Sequence, residues 1–197
     1  MTVRLYVEGG FEGSTKTDCR KAFRLFFEKA IEPGSFRVIA SGDRAATFKD
    51  FCTALQQHSE DCVLLLVDSE EEVQERPWEH LRLRVGDGWA RPKGATDDQV
   101  HLMVQVMESW FLADKTALST YYGQGFLANS LPKPKNVETI PKATVFASLK
   151  HATKSTQKGE YHKTRHGFDL LELIDPVLVR EASLHADKLF LILKRET

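Results

Sequence analysis

The chain has 197 residues, of which 42 % are hydrophobic and 28 % charged, and its formal net charge is −1. That is an ordinary composition for a globular domain long enough to bury a real core, and no apolar run approaches the roughly 18 residues that a membrane span needs. The opening MTVRLYVEGG lacks the charged-then-apolar layout of a signal peptide, and Cys19, Cys52 and Cys62 form no CxxC or Cys/His pattern. The expectation is therefore a cytoplasmic protein with reduced thiols, without a disulfide framework or a zinc site.

Residues 3–7 (VRLYV) form a short β-prone run. Over 16–30, Cys19, Ala22, Phe23, Phe26, Phe27 and Ala30 recur at three- and four-residue spacing, which predicts a helix with one apolar face, stopped by Pro33-Gly34. A second strand follows over 36–40 and a second amphipathic helix over 43–57. Residues 62–67 (CVLLLV) are apolar throughout, as in a strand buried on both faces of a parallel sheet. An acidic loop and an irregular excursion from Trp78 to Trp89 lead to a predicted strand over 100–106 and a helix beginning near Glu108. From about residue 115 the chain reads as helix and loop, with LPKPKNVETIP as a crossing and two closing helices over 167–182 and 183–194.

This alternation predicts an α/β fold, a mainly parallel sheet of about four strands sandwiched by helices. Residues 1–115 would form the core and 116–197 a basic helical extension packed on it, the whole making one compact domain.

The charge is unevenly placed. Glu60, Asp61, Asp68, Glu70, Glu71, Glu72, Glu75 and Glu79 face Arg76 alone within 60–79. Residues 133–166 instead carry Lys133, Lys135, Lys142, Lys150, Lys154, Lys158, Lys163 and Arg165 against two glutamates. A basic stretch of this kind suits phosphate backbones, although it also suits a solvated helix face.

The glycine-rich VEGGFEGSTKT invites a nucleotide-binding reading, which its spacing defeats. A phosphate loop of the Walker type places Lys directly after its last Gly, whereas Lys16 comes three residues after Gly13. The glycines at 9, 10 and 13 also miss the G-x-G-x-x-G of a dinucleotide fold. What remains is Glu8 at the carboxyl end of the first strand, with Glu12 four residues on. The third strand ends at Asp68-Ser69-Glu70, and the fourth leads to Glu108. In open α/β sheets the functional crevice lies beyond the carboxyl ends of the strands, so these acids converge there. Clustered carboxylates repel unless a cation sits among them, and oxygen donors without Cys or a His cluster suit Mg²⁺ or Mn²⁺.

Val7-Glu8-Gly9-Gly10-Phe11-Glu12 resembles the VEGxxE signature of Toprim domains of the overcoming-lysogenization-defect nuclease type, and Asp68-Ser69-Glu70 resembles their DxD motif. LLLVDSE, WEHL, GATDDQVHLMVQVMESWFLAD, YYGQGF, IPKA, KGEYHK and GFDLLELIDP resemble a bacterial Toprim-like family, domain of unknown function 4276, across almost the whole chain. The resemblance implies a Toprim-like fold and a divalent-metal-dependent nuclease using two ions. It makes Glu8 and Asp68 the centre of the metal site, with Glu12, Glu70 and Glu108 as further ligands. Glu70 stands where the second Asp of the motif is usual. It further implies a bacterial anti-phage defence setting beside an AAA- or ABC-type ATPase.

Lys163 is the candidate cation for charge developing on a scissile phosphate. Lys150, Lys154, Lys158, Lys163 and Arg165 are the candidate nucleic-acid contacts. Expected partners are DNA first and RNA or tRNA second, that ATPase, and a second copy of the chain. The alternative is a catalytically silent regulatory subunit of an ATPase complex.

Overall fold

The structure, a computed structural model, describes residues 2–10, 13–133 and 135–197, with Ser14 described by its backbone alone. Four strands form one parallel sheet: β1 (Val3–Glu8), β2 (Phe36–Gly42), β3 (Cys62–Asp68) and β4 (Val100–Met103), in the order β2-β1-β3-β4. Helix α1 (Gly13–Glu28) links β1 to β2, and α2 (Arg44–Gln57) carries the chain back past β1 to β3. The strand order therefore reverses between β1 and β3, and the crevice of such a sheet opens at that reversal. Glu8 and Asp68 end the two strands that flank it.

Period-two alternation divides the strands between two cores. Leu5, Val7, Leu64 and Leu66 face a core built with α1 and the later helices, while Tyr6, Val63, Leu65 and Val67 face Phe51, Ala54, Trp78 and Leu81. The first core is the larger and runs without a break from Val3 to Leu193. Its centre is aromatic: the Phe26 ring stacks on Trp110 at 5.5 Å and meets Phe190 edge-on at 5.7 Å. Burial of large rings in such arrangements contributes beyond its area.

Several boundaries differ from those read in the sequence. The segment 100–106 is strand only as far as Met103, because β3, its partner, ends at Asp68 opposite Met103. Within the excursion, α3 (Pro77–Leu83) starts on a proline whose fixed φ suits a first helical turn, and it buries Trp78 and Leu81. Helix α4 (Glu108–Phe111) is a single turn, followed by α5 (Lys115–Tyr122) and α6 (Lys142–Thr153). The helix expected over 167–182 is two helices, α7 (Lys163–Leu173) and α8 (Pro176–Ala182), because a residue before proline is pushed out of the helical region and Asp175 there is extended. The last helix, α9 (Leu184–Glu196), packs against β4. No helix among the described residues is long and apolar enough to cross a membrane.

His101 on β4 gives the fold a pH signature. Its ring is 2 % exposed and its Nε2 lies 3.0 Å from the Asp98 carbonyl. Burial, and to a smaller extent Lys188, holds its pKa down at about 4 despite Asp98. A depressed histidine pKa stabilises the fold fully above the unfolded value near 6.5 and loses that contribution as pH falls toward the folded one. Between pH 7 and pH 5 the loss amounts to about 2 kcal/mol for one such group. In urea titrations at these two pH values, His101→Gln is expected to shrink the stability difference by about that amount; an unchanged difference would remove His101 from the account.

Candidate metal centre

The turn behind Glu8 is built by glycine. Gly9 and Gly10 have φ of +138° and +75°, a region that costs side-chain-bearing residues free energy. The Gly9 amide donates to the Gly42 carbonyl at 2.9 Å, tying the turn to the end of β2. A Cβ on Gly10 would lie 2.6 Å from the Lys16 Cα and 2.8 Å from its nitrogen, both backbone atoms that cannot swing away. Gly10→Ala is accordingly expected to destabilise the protein by about 1–3 kcal/mol, measured as a lowered melting temperature. Lys16 itself donates to the Ser41 carbonyl at 2.8 Å, so it braces the turn against β2.

Glu8, Asp68 and Glu70 come together at the head of the crevice, each with a carboxylate oxygen within 4.8 Å of those of the other two. Asp68 is 3 % exposed and its Oδ1 accepts from the Met107 amide at 2.8 Å. Burial raises its carboxyl above the usual range; Lys163 opposes that rise, while Glu8, Glu108 and Glu70 add to it.

Glu70 is reached by a different route. Beyond the paired strands, the Ser69 amide donates to the Met103 carbonyl at 2.9 Å and the Glu70 amide to the Gln105 carbonyl at 2.7 Å. Glu70 takes a φ of +68°, rare for a residue with a side chain and often found at functional sites. The Gln105 side chain meanwhile accepts from the backbone amide of Lys142, the first residue of α6. Gln105 thus brings together Glu70 and Lys142, whose side chains form an ion pair.

Arg44, the first residue of α2, supplies a second cation. Its Nη1 donates to Glu8 at 3.0 Å and to the Asp68 carbonyl at 2.5 Å. The rest of its guanidinium forms a two-bond fork on Asp87, both contacts at 2.7 Å, and its charge lies 4.9 Å over the Trp89 ring. Asp87 is also held by Arg84 at 3.0 Å; burial alone would raise its carboxyl, but Arg44 and Arg84 bring it below the usual range. The GDG turn of the excursion therefore anchors the arginine that positions Glu8.

Lys163 begins α7 and points to the carboxylates, its Nζ 3.6 Å from Asp68 Oδ2 and 4.0 Å from Glu108 Oε1. Burial works against its charge, yet Asp68, Glu108, Glu8 and Glu70 together raise its pKa above the ordinary lysine range. Glu108 is fully buried and its Oε1 accepts from the Tyr161 hydroxyl at 2.9 Å. It neighbours the three-carboxylate group without belonging to it. Glu12 lies outside the described residues. Lys150, Lys154, Lys158 and Arg165 are exposed, and Lys158 rests 4.4 Å over the Tyr121 ring. Of these five basic candidates, only Lys163 has an ion pair with the clustered acids among the described residues.

Arg44, Asp87, Lys142 and Tyr161 belong to the site but escape a reading that looks for acids at strand ends. Arg44 alone left a signal there, as the residue just past the carboxyl end of β2. An apolar hollow of about 370 Å³ adjoins the acids, walled by Met103, Met107 and Phe168.

Three carboxylates on one crevice, with no thiolate or imidazole among them, form the donor set of a hard divalent cation such as Mg²⁺ or Mn²⁺. No curated protein and no solved structure matches the chain at a significant level. The sequence model of one family, described as a domain of unknown function (DUF4276), matches residues 8–194. The chain belongs to that DUF4276 family.

Proposed function

We propose that the chain is a divalent-metal-dependent nuclease of Toprim type that hydrolyses phosphodiester bonds. The observation that carries this reading is the meeting of Glu8, Asp68 and Glu70 within 4.8 Å, with the Lys163 ammonium beside them. Glu8, Asp68 and Glu70 would hold Mg²⁺ or Mn²⁺. Such an ion polarises a phosphoryl oxygen and lowers the pKa of a bound water. Arg44 fixes the Glu8 carboxylate, the Met107 amide fixes Asp68, and Gln105 fixes Glu70 through its backbone. Lys163 presents positive charge where a scissile phosphate would gain negative charge, the arrangement that stabilises a transition state without reorganisation. The exposed Lys150, Lys154, Lys158 and Arg165 would follow the backbone of DNA or, second, of RNA or tRNA. Action beside an ATPase in anti-phage defence, and pairing of two copies, belong to the same proposal.

One observation favours the catalytically silent alternative. Glu8, Glu70 and Asp68 each already face a cationic side chain, respectively Arg44, Lys142 and Lys163, so the acids are partly neutralised by the protein itself. A cleavage assay on single- and double-stranded DNA and on tRNA, with Mg²⁺, Mn²⁺ or chelator, separates the two. Metal-dependent cutting that Glu8→Gln and Asp68→Asn both abolish supports the nuclease. Absence of cutting on every substrate, in a preparation that binds Mn²⁺, supports the silent subunit.

A further inference from the structure

Two-metal phosphodiesterases set their ions about 3.5–4 Å apart around a shared carboxylate, with further ligands on either side. Asp68 is the shared carboxylate here: it clusters with Glu8 and Glu70, and Lys163 joins it to Glu108. On the Glu108 side, the structure places an ammonium. Lys163 Nζ lies 3.6 Å from Asp68 Oδ2 and 4.0 Å from Glu108 Oε1, so a half-exposed ammonium faces two buried carboxylates.

The geometry points to Lys163 as a built-in substitute for the second cation, so that the centre takes one divalent ion, held by Glu8, Asp68 and Glu70. This rests on the metal centre proposed above and replaces the two ions expected from the sequence by one ion and one lysine.

Three further observations carry it. First, Lys163 is anchored as well as attracted: it opens α7, and α7 lies along α1 in the main core. Second, Glu108 is already engaged by the Tyr161 hydroxyl through the same oxygen that faces Lys163. Third, the local charge suits a single ion. Glu8, Asp68, Glu70, Glu108, Asp87 and the exposed Glu71 are met by Arg44, Arg84, Lys142 and Lys163, leaving two negative charges uncompensated. One divalent ion would then balance the site. Two would leave it doubly positive around the buried Asp68 and Glu108, where unbalanced charge is costly.

The other oxygen of Glu108, Oε2, is buried and has no hydrogen-bond partner among the described residues. Removing the lysine would therefore leave Glu108 Oε1 and Asp68 Oδ2 facing a vacated cation position, with the second Glu108 oxygen on the same carboxylate. Lys163→Met should acquire a second metal site, whereas Lys163→Arg should not.

The test is Mn²⁺ titration by calorimetry, with electron paramagnetic resonance on the loaded protein and a melting curve for each variant. The expected result is one Mn²⁺ per chain for the wild type, with a spectrum free of spin coupling between ions. Lys163→Met is expected to take two, with a coupled signal, and Lys163→Arg one. Two coupled ions in the wild type would overturn the inference while leaving the nuclease reading intact. A folded Lys163→Met that still binds one ion would overturn it as well. No Mn²⁺ binding by the wild type would overturn this inference together with the metal centre on which it rests. Should Lys163→Met fail to fold, the wild-type stoichiometry decides alone, one ion supporting the inference and two opposing it.

Discussion

Asp68→Asn is expected to weaken Mn²⁺ binding by at least about 100-fold and to reduce cleavage by a similar factor or more. Even residues that only orient metal ligands cost about 10–100-fold when replaced, and Asp68 sits at the centre of the carboxylate group. Its carboxamide retains an oxygen for the Met107 amide, which now reaches Oδ1 at 2.8 Å, so the connection between β3 and α4 survives. It also removes a charge whose burial works against its ionised form. The change also dissolves the 3.6 Å pair with Lys163, whose half-exposed ammonium can turn to solvent, so folded stability should fall by no more than about 1 kcal/mol. Isothermal titration with Mn²⁺ and a urea denaturation curve, taken on the same preparation, check both halves. Undiminished binding in a folded Asp68→Asn protein would move the metal away from Asp68. A large stability loss would make Asp68 a structural residue instead.

Arg44→Leu should have the opposite balance, with a loss of about 3–5 kcal/mol in stability, the cost of breaking a buried ion pair from one side. The substitution strands the Asp87 carboxylate, whose side chain is 2 % exposed, with Arg84 as its remaining ion-pair partner. It also removes the donor to Glu8 and to the Asp68 carbonyl. Arg44→Lys should recover only part of the loss, because an ammonium cannot reproduce the two-bond fork on Asp87. Pairing Arg44→Leu with Asp87→Leu removes both buried charges and should restore stability beyond either single variant, a coupling that a double-mutant cycle in urea measures directly. Simple additivity of the two single effects would show that the fork contributes nothing to the fold.

The sheet was readable because its signals are local. CVLLLV is apolar at every position and lies at the centre of a parallel sheet, and the three- and four-residue spacing from Cys19 to Phe27 marks the face of α1 that is buried. Strand ends follow from strands, so local signals alone place Glu8 and Asp68 at one crevice. Misplaced boundaries came from forces acting across the chain. Apolar character continues from Val100 to Met107 whether or not a partner strand is present, so only the end of β3 reveals where β4 stops. Asp175-Pro176 is a local signal for the break between α7 and α8, masked by the apolar spacing that runs across it. Arg44, Asp87 and Lys142 reach the site through pairings 36, 43 and 72 residues apart, and nothing in a window of sequence encodes such meetings.

Placing the acids partly on paired strands and partly outside them gives the site two different kinetics of opening. Glu8 and Asp68 belong to β1 and β3, whose register from Val3 opposite Cys62 to Val7 opposite Leu66 lies between both cores, so their relative position is lost only when the whole domain unfolds. Glu70 sits beyond the paired strands with a φ of +68°, in a segment that opens at lower free energy than a central sheet. The domain therefore keeps Glu8 and Asp68 as durable as its core, while Glu70 can exchange with solvent on a faster clock of its own.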